Sequence, residues 1–289
     1  MVGIVSYGVY IPIYRLSAND IGMVWGTRPG KGEKAVANCD EDSLTMGVEA
    51  ATTCLHGVDR EKVDALYFSS TTPPYREKQS ASIIATVLDL RRDIFTSDFT
   101  DSLRSGTSAM RAALDAVKAG SVRNVLVIAA DCRLPAPDSA SEALFGDGAA
   151  AFLIGSSDVV FNIEGMHSIS SEFMDVWRRE NDRYPRTWED RFVLTHGYSE
   201  ITLEATEAIM KKYNLKPDDI NKAVFSGPDP RSHMGLVKKA GFDYQRQVQD
   251  PMFAVMGNTG TAQGLLLLAA AIEEAKAGDK ILLSNYGDG

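Results

Sequence analysis

Residues 97–119, SDFTDSLRSGTSAMRAALDAVKA, decide the fold. The stretch reads as a short buried approach, a tight Ser105-Gly106-Thr107 turn, then a helix. Ala109, Met110, Ala112, Ala113, Leu114, Ala116 and Val117 are small or apolar, so the helix is expected to be buried on most sides. Gly120 stands where a C-cap glycine belongs. Small residues at a helix start let another backbone approach and leave N–H groups pointing outward. A helix N-terminus also favours a thiolate. Here the residues before it are Ser102, Leu103, Arg104 and Ser105, and none is a cysteine.

Working outward, strands and helices alternate. Strands are expected over 3–13, 63–70, 124–130, 149–155, 161–171, 223–226 and 281–284. Helices are expected over 43–55, 81–90, 202–213, 232–240 and from Gly257-Asn258-Thr259-Gly260 to Gly278, with a short one capped by Ser17. Asp40-Glu41-Asp42 suits a helix N-terminus better than a metal site. Residues 71–75, TTPPY, form a loop at a strand's C-terminal end, where open α/β sheets hold ligands. The aromatic, charged segment from Asp175 to Phe192 reads as a surface excursion anchored by Trp177, Tyr184 and Trp188.

The chain has 289 residues and a net charge of −9, which argues against general nucleic-acid or membrane-surface binding. A local basic loop remains, with Trp25, Arg28, Lys31 and Lys34, and is a candidate for anion binding. Cys39, Cys54 and Cys132 have no metal-ligand spacing and suggest free thiols in a reducing compartment. With no run of membrane length and no signal-peptide pattern, a cytoplasmic protein without a metal or a tightly held cofactor is expected.

The chain repeats itself. VDALYFSS at Ser69 resembles INKAVFSG at Ser226, 157 residues on. The helices at Gly106 and Gly264, and the glycines that close them, Gly120 and Gly278, stand 158 apart. Strands follow both, then FGDG at Phe145 and YGDG at Tyr286. The expected organisation is two βα halves, 1–160 and 161–289, the second with an inserted excursion over 172–200. In the first half AAAFLIG follows GDG, so the second half is expected to lack its final strand.

These motifs carry a resemblance. VWG at Val24, EKAV at Glu33, DED at Asp40, PPY at Pro73, SGT at Ser105, FGDGAAA at Phe145 and GNTG at Gly257 are similar to those of the thiolase superfamily. They resemble most closely hydroxymethylglutaryl-CoA synthases of the archaeal type, and more loosely beta-ketoacyl-ACP synthase III. The resemblance implies an α/β fold of five layers, αβαβα, a homodimer, and a CoA thioester as ligand, with Trp25, Arg28, Lys31 and Lys34 as candidate CoA contacts. It also implies a Glu/Cys/His set in which cysteine carries the acyl group, carboxylate acts as base and histidine activates the second substrate. At the matching positions this chain has Thr71, Leu103 and Ser226; the family asparagine is present as Asn258.

Three functional readings follow. One is an acyltransferase-class, acyl-CoA-binding protein with a degenerate site, with Ser102, Cys132 and His233 as candidates for relocated chemistry. For each the plainer reading is structural: a serine with no base beside it, an inert buried thiol, a surface histidine. Another is a non-catalytic scaffold for a small OB-fold, zinc-ribbon partner. The last is a lyase or aldol-type step on a CoA thioester that uses Asn258, Ser226 and bound water, without a covalent intermediate.

Overall fold

A computed structural model describes residues 1–28 and 30–287. The last two residues of the YGDG motif, Asp288 and Gly289, therefore lie outside the described residues. In chain order the elements are β1 (Gly3–Tyr10), β2 (Tyr14–Ser17), α1 (Ala18–Trp25), β3 (Glu33–Val36), α2 (Ser43–Cys54), β4 (Ala65–Ser69), α3 (Ser80–Val87), β5 (Phe95–Phe99), α4 (Ser105–Lys118), β6 (Asn124–Asp131) and β7 (Gly148–Gly155). There follow β8 (Phe161–Asn162), β9 (Val176–Trp177), β10 (Arg186–Thr187), α5 (Asp190–Phe192), a π-helix (Val193–Ser199), α6 (Glu200–Lys212), β11 (Lys222–Phe225), α7 (Pro230–Lys239), α8 (Gln263–Glu274) and β12 (Ile281–Ser284).

Local chemistry sets the helix starts. Asp42 and Thr45 form a capping box: each side chain accepts the other's backbone N–H at 2.8 Å, which starts α2. Asp229 accepts from the N–H groups of Arg231 and Ser232 and starts α7, with Pro230 in the first turn. Helix α3 has no cap of its own. Asp98 of β5 supplies one, accepting from Ser80 and Ala81 at 2.7 and 2.8 Å.

The main sheet has the order β5-β4-β6-β7-β1-β8, with β5, β4 and β6 parallel and β7 antiparallel to both β6 and β1. Its central strands are buried on both faces. Val125, Val127 and Ala129 of β6 join Ala150, Phe152 and Ile154 of β7 in a core with α4 and α8. Leu126, Ile128 and Ala130 join Ala149, Ala151 and Leu153 in a second core with α2 and α3. This is the two-residue alternation of a strand read on two apolar faces. A second, parallel pair, β11-β12, puts Val224 into the α4/α8 core and Ala223, Phe225 and Leu282 into a third core with α6 and α7. The layers are thus α2/α3, sheet, α4/α8, sheet, α6/α7, the expected αβαβα arrangement.

Two expectations need correction. Helix α4 is buried along one stripe only (Ser105, Gly106, Ala109, Met110, Ala113, Leu114, Val117), while Arg111 and Asp115 pair at 2.7 Å on its outer face. The strand expected over 161–171 pairs only at Phe161 and Asn162, against β1.

Candidate functional site

Two parallel strand pairs, β4-β6 and β11-β12, end at one place. The segments that follow β4 (Ser70-Thr71-Thr72), β6 (Cys132-Arg133), β11 (Ser226-Gly227) and β12 (Asn285-Tyr286-Gly287) meet the start of α4 and the Asn258–Ala262 turn. Carboxyl ends of strands in open α/β sheets are where ligands bind.

Asp131, fully buried at the end of β6, is the hub. Its Oδ1 accepts from the Ser70 hydroxyl (3.0 Å), the Thr71 N–H (2.7 Å) and the Thr72 hydroxyl (3.0 Å). Its Oδ2 accepts from the Thr71 hydroxyl (3.0 Å) and from the N–H and hydroxyl of Thr261 (2.7 and 2.6 Å). Six donors use up the acceptor capacity of a carboxylate, so Asp131 positions its neighbours rather than accepting a proton from a ligand. Gly260 allows this closeness. Its φ is +62°, and a Cβ there would overlap Asp131 Oδ2.

Asn258 links the strand ends from the other side. Its Oδ1 accepts from Arg133 Nη2 at 2.6 Å and from the Gly260 N–H at 2.9 Å, and its Nδ2 donates to the Gly227 carbonyl at 2.9 Å. Arg133 is buried, with its guanidinium 4.0 Å from the Phe145 ring centroid; burial lowers its pKa. Next to Gly227, the Ser226 hydroxyl accepts the Tyr286 N–H at 2.9 Å, and the Ser226 carbonyl accepts from the Tyr198 hydroxyl at 3.0 Å. The Tyr286 hydroxyl donates to Asp175 at 2.6 Å. Leu103 sits half-buried in the turn before α4. That turn packs against the end of β12: a Cβ on Gly287 would overlap the Arg104 N–H and stand 2.9 Å from Ser102 Oγ. Ser69 closes the circuit by donating to the Ser105 carbonyl at 3.2 Å. Thr71, Ser226 and Asn258 therefore share one contact circuit, and the turn that holds Leu103 packs against it.

The remaining candidates border the circuit, and the Cys132 N–H donates to the Thr72 hydroxyl at 2.9 Å. Cys132 follows Asp131 directly, but burial and then the charge of Asp147 push its thiol up to about 12. It is protonated at neutral pH, and the thiol is a poor nucleophile. His233 is not a surface residue. It is fully buried, with its ring centroid 6.0 to 6.5 Å from those of Phe225, Tyr244 and Phe253, and burial pulls it down to about 4. This aromatic box backs onto the circuit at Gly227, where an added Cβ would stand 3.3 Å from the His233 Cβ.

Of the four candidate CoA contacts, Trp25, Arg28 and Lys31 are exposed. Trp25 donates its indole N–H to Glu142 at 2.8 Å, tying the basic loop to the loop after β6. Lys34 is only 6% exposed and lies near Asp147, Glu142 and Cys132; burial lowers its pKa. From the excursion, Arg178 reaches in and donates to the Thr71 carbonyl at 2.8 Å. Asp131 and Arg178 escaped the sequence reading. The one signal for Asp131 is a carboxylate closing the apolar run NVLVIAAD. Among the described residues no group of three or more His, Cys, Asp or Glu could hold a metal ion, and no helix is long and apolar enough to cross a membrane.

Comparison with known proteins adds a family. Residues 97–173 match the model of 3-oxoacyl-[acyl-carrier-protein] synthase III, and residues 210–289 match the model of its C-terminal part. The whole chain is 34% identical to the hydroxymethylglutaryl-CoA synthase of Pyrococcus furiosus, covering 83% of that protein. It is also 34% identical to that of Archaeoglobus fulgidus, covering 86%. Among solved structures, 3-oxoacyl-[acyl-carrier-protein] synthase III from Aquifex aeolicus superposes with a TM-score of 0.89 at 24% identity, over 100% of this chain and 96% of that one.

Proposed function

The chain belongs to the hydroxymethylglutaryl-CoA synthase family, within the acyl-CoA-condensing thiolase superfamily, and from that premise we propose that it binds an acyl-CoA thioester without forming an acyl-enzyme. One observation carries this reading. The three positions that would hold the carboxylate, thiol and imidazole carry Thr71, Leu103 and Ser226 instead. The Thr71 hydroxyl is spent on Asp131, and Ser226 Oγ accepts the Tyr286 N–H. Cys132 is held as a thiol, and His233 is sealed in its aromatic box. Leu103 has no nucleophilic atom. Nucleophilic and acid–base groups each contribute orders of magnitude to such reactions.

The test is an equilibrium titration with acetyl-CoA and acetoacetyl-CoA, run beside an assay for condensation. Saturable binding with no product is expected. Condensation at rates of about 1 s⁻¹ or more, ordinary for an enzyme, would refute the reading.

A second reading, in which the chain works as a subunit, is supported by exposed apolar side chains on and beside β2 and α1: Ile13, Tyr14, Met23, Val24 and Trp25. A small OB-fold, zinc-ribbon protein is the partner proposed there. The homodimer is proposed through β5, the edge of the main sheet, where Phe95 is exposed. Co-purification followed by size-exclusion chromatography separates the two assemblies.

A further inference from the structure

Arg133, two residues past the end of β6, carries a buried charge with no carboxylate to hold it. The residue is 7% exposed, its guanidinium stacked on the Phe145 ring. Nη2 donates to Asn258 Oδ1 at 2.6 Å and to the Asn258 carbonyl at 3.3 Å. Nε is buried without an acceptor, and among the described residues nothing accepts from Nη1 and no carboxylate comes within ion-pair distance. Asp131 and Asp147 attract the guanidinium only from a distance, and Arg178 repels it. Asp131 is taken up by its six donors, and Asp147 accepts the Ala37 N–H at 2.8 Å and also faces Lys34. Arginine does not escape such a place by giving up its proton. A buried cation with unused donors is costly unless an anion meets it.

The guanidinium stands among the strand ends. Asn258, which it holds, donates in turn to the Gly227 carbonyl after β11. A Cβ on Gly260 would come within 2.9 Å of Arg133 Nε. Arg133 therefore lies between the ends of β6 and β11 and the turn into α8, where an open α/β sheet holds its ligand. Cations suited to the phosphates of CoA lie elsewhere: Arg28 and Lys31 are exposed on the basic loop. The anion that Arg133 lacks thus belongs to the acyl end of a thioester rather than to its nucleotide end.

We propose that Arg133 binds a carboxylate on the acyl group, so that the site prefers the CoA thioester of a dicarboxylic acid to that of a simple fatty acid. The proposal rests on the reading that this site binds acyl-CoA. The planar guanidinium suits a carboxylate, and a hydrogen bond charged at both ends is among the strong ones. Arg178, exposed and held to the Thr71 carbonyl, adds charge of the same sign beside the site and draws an anion toward it. No covalent step is involved: the carboxylate takes up donors that are otherwise unused.

Calorimetric titration of the whole chain with matched esters tests this: succinyl-CoA against butyryl-CoA and glutaryl-CoA against pentanoyl-CoA, with CoA alone beside them. The wild type should bind each dicarboxylic ester about ten-fold or more tightly than its neutral partner, as one charge-assisted hydrogen bond would give. Arg133→Gln should bring that ratio to about one. A wild-type ratio near one overturns the proposal and leaves acyl-CoA binding standing, whereas no binding of any ester overturns both. A ratio that survives Arg133→Gln overturns it, as does one that only Arg178→Gln removes, which puts the carboxylate on the excursion. So does an equal loss for every ester and for CoA in Arg133→Gln, which makes a phosphate the anion bound there. Should Arg133→Gln fail to fold, Arg133→Lys takes its place, since it keeps the charge but not the planar fork. Its ratio should fall about three-fold or more, and an unchanged ratio overturns the proposal.

Discussion

Thr261 donates both its backbone N–H and its hydroxyl to Asp131 Oδ2, at 2.7 and 2.6 Å, across 130 residues of sequence. The same oxygen accepts the Thr71 hydroxyl. One carboxylate thus fixes the loop after β4, the end of β6 and the turn that leads into α8. A threonine at position 71 fits this arrangement because it can donate to Asp131, which an ionised carboxylate at that position could not do.

Asp131→Ala should destabilise the protein severely. It leaves buried donors from Ser70, Thr71, Thr72 and Thr261 without their acceptor, and each unsatisfied buried group costs about 1–3 kcal/mol before relaxation. A loss of about 3–5 kcal/mol in urea unfolding is expected. Asp131→Asn should lose less but still measurably, since its amide would set a donor against donors. A loss under about 1 kcal/mol for the alanine variant would mean that the cluster is not a structural hub.

His233 should make stability fall in acid. Its pKa is pulled down to about 4 in the folded protein from 6.5, mainly by burial, with smaller opposing attractions from Asp250 and Asp229. Between those values the unfolded chain binds the proton and the folded chain does not, so stability rises with pH through that window. Lowering the pH from 6.5 to 4 should therefore cost up to about 3 kcal/mol from this residue alone. His233→Leu should remove that part of the slope in denaturant titrations across pH. An unchanged slope would show that the ring is solvated.

What the sequence revealed followed local rules. The Asp42 cap and the apolar strands β6 and β7 are set by residues a few positions apart, whereas the small residues of α4 suggested burial on most sides and only one stripe is buried. What it concealed depends on distant chain. Asp131 meets Thr71 and Thr261 from 60 and 130 residues away. His233 is sealed by Phe253 and Tyr244, which no helical period of α7 reveals. The segment from Phe161 has strand composition, but a strand exists only where a neighbour pairs with it.

Cys132 should react slowly with thiol reagents. With its thiol held up to about 12, the thiolate is about one part in 10⁴ to 10⁵ at pH 7.5. Exposed Cys39 should be alkylated by iodoacetamide far faster, and the Cys132 rate should still be climbing at pH 10. Peptide mapping of a timed alkylation reads both sites. Cys132 labelling that matches or exceeds Cys39 at pH 7.5 would revive it as a relocated nucleophile.

The final prediction concerns residue 103. Incubated with acetyl-CoA or acetoacetyl-CoA, the protein should form no stable acyl adduct there, because leucine offers no nucleophilic atom. Leu103→Cys should give at most slow acylation. The thiol would stand two residues before the first helical residue, Ser105, where the helix N-terminus lowers a thiol pKa modestly. Condensation should not follow, since the Thr71 hydroxyl is bound to Asp131 and Ser226 Oγ accepts the Tyr286 N–H. Neither is a base at neutral pH. Intact-mass spectrometry of both proteins, followed by peptide mapping, reads the adduct, and a product assay reads condensation. A wild-type adduct on Ser102 or Cys132 would replace the binding-only reading with one of relocated covalent chemistry. Efficient condensation by the single variant would mean that the acid–base groups lie somewhere other than positions 71 and 226.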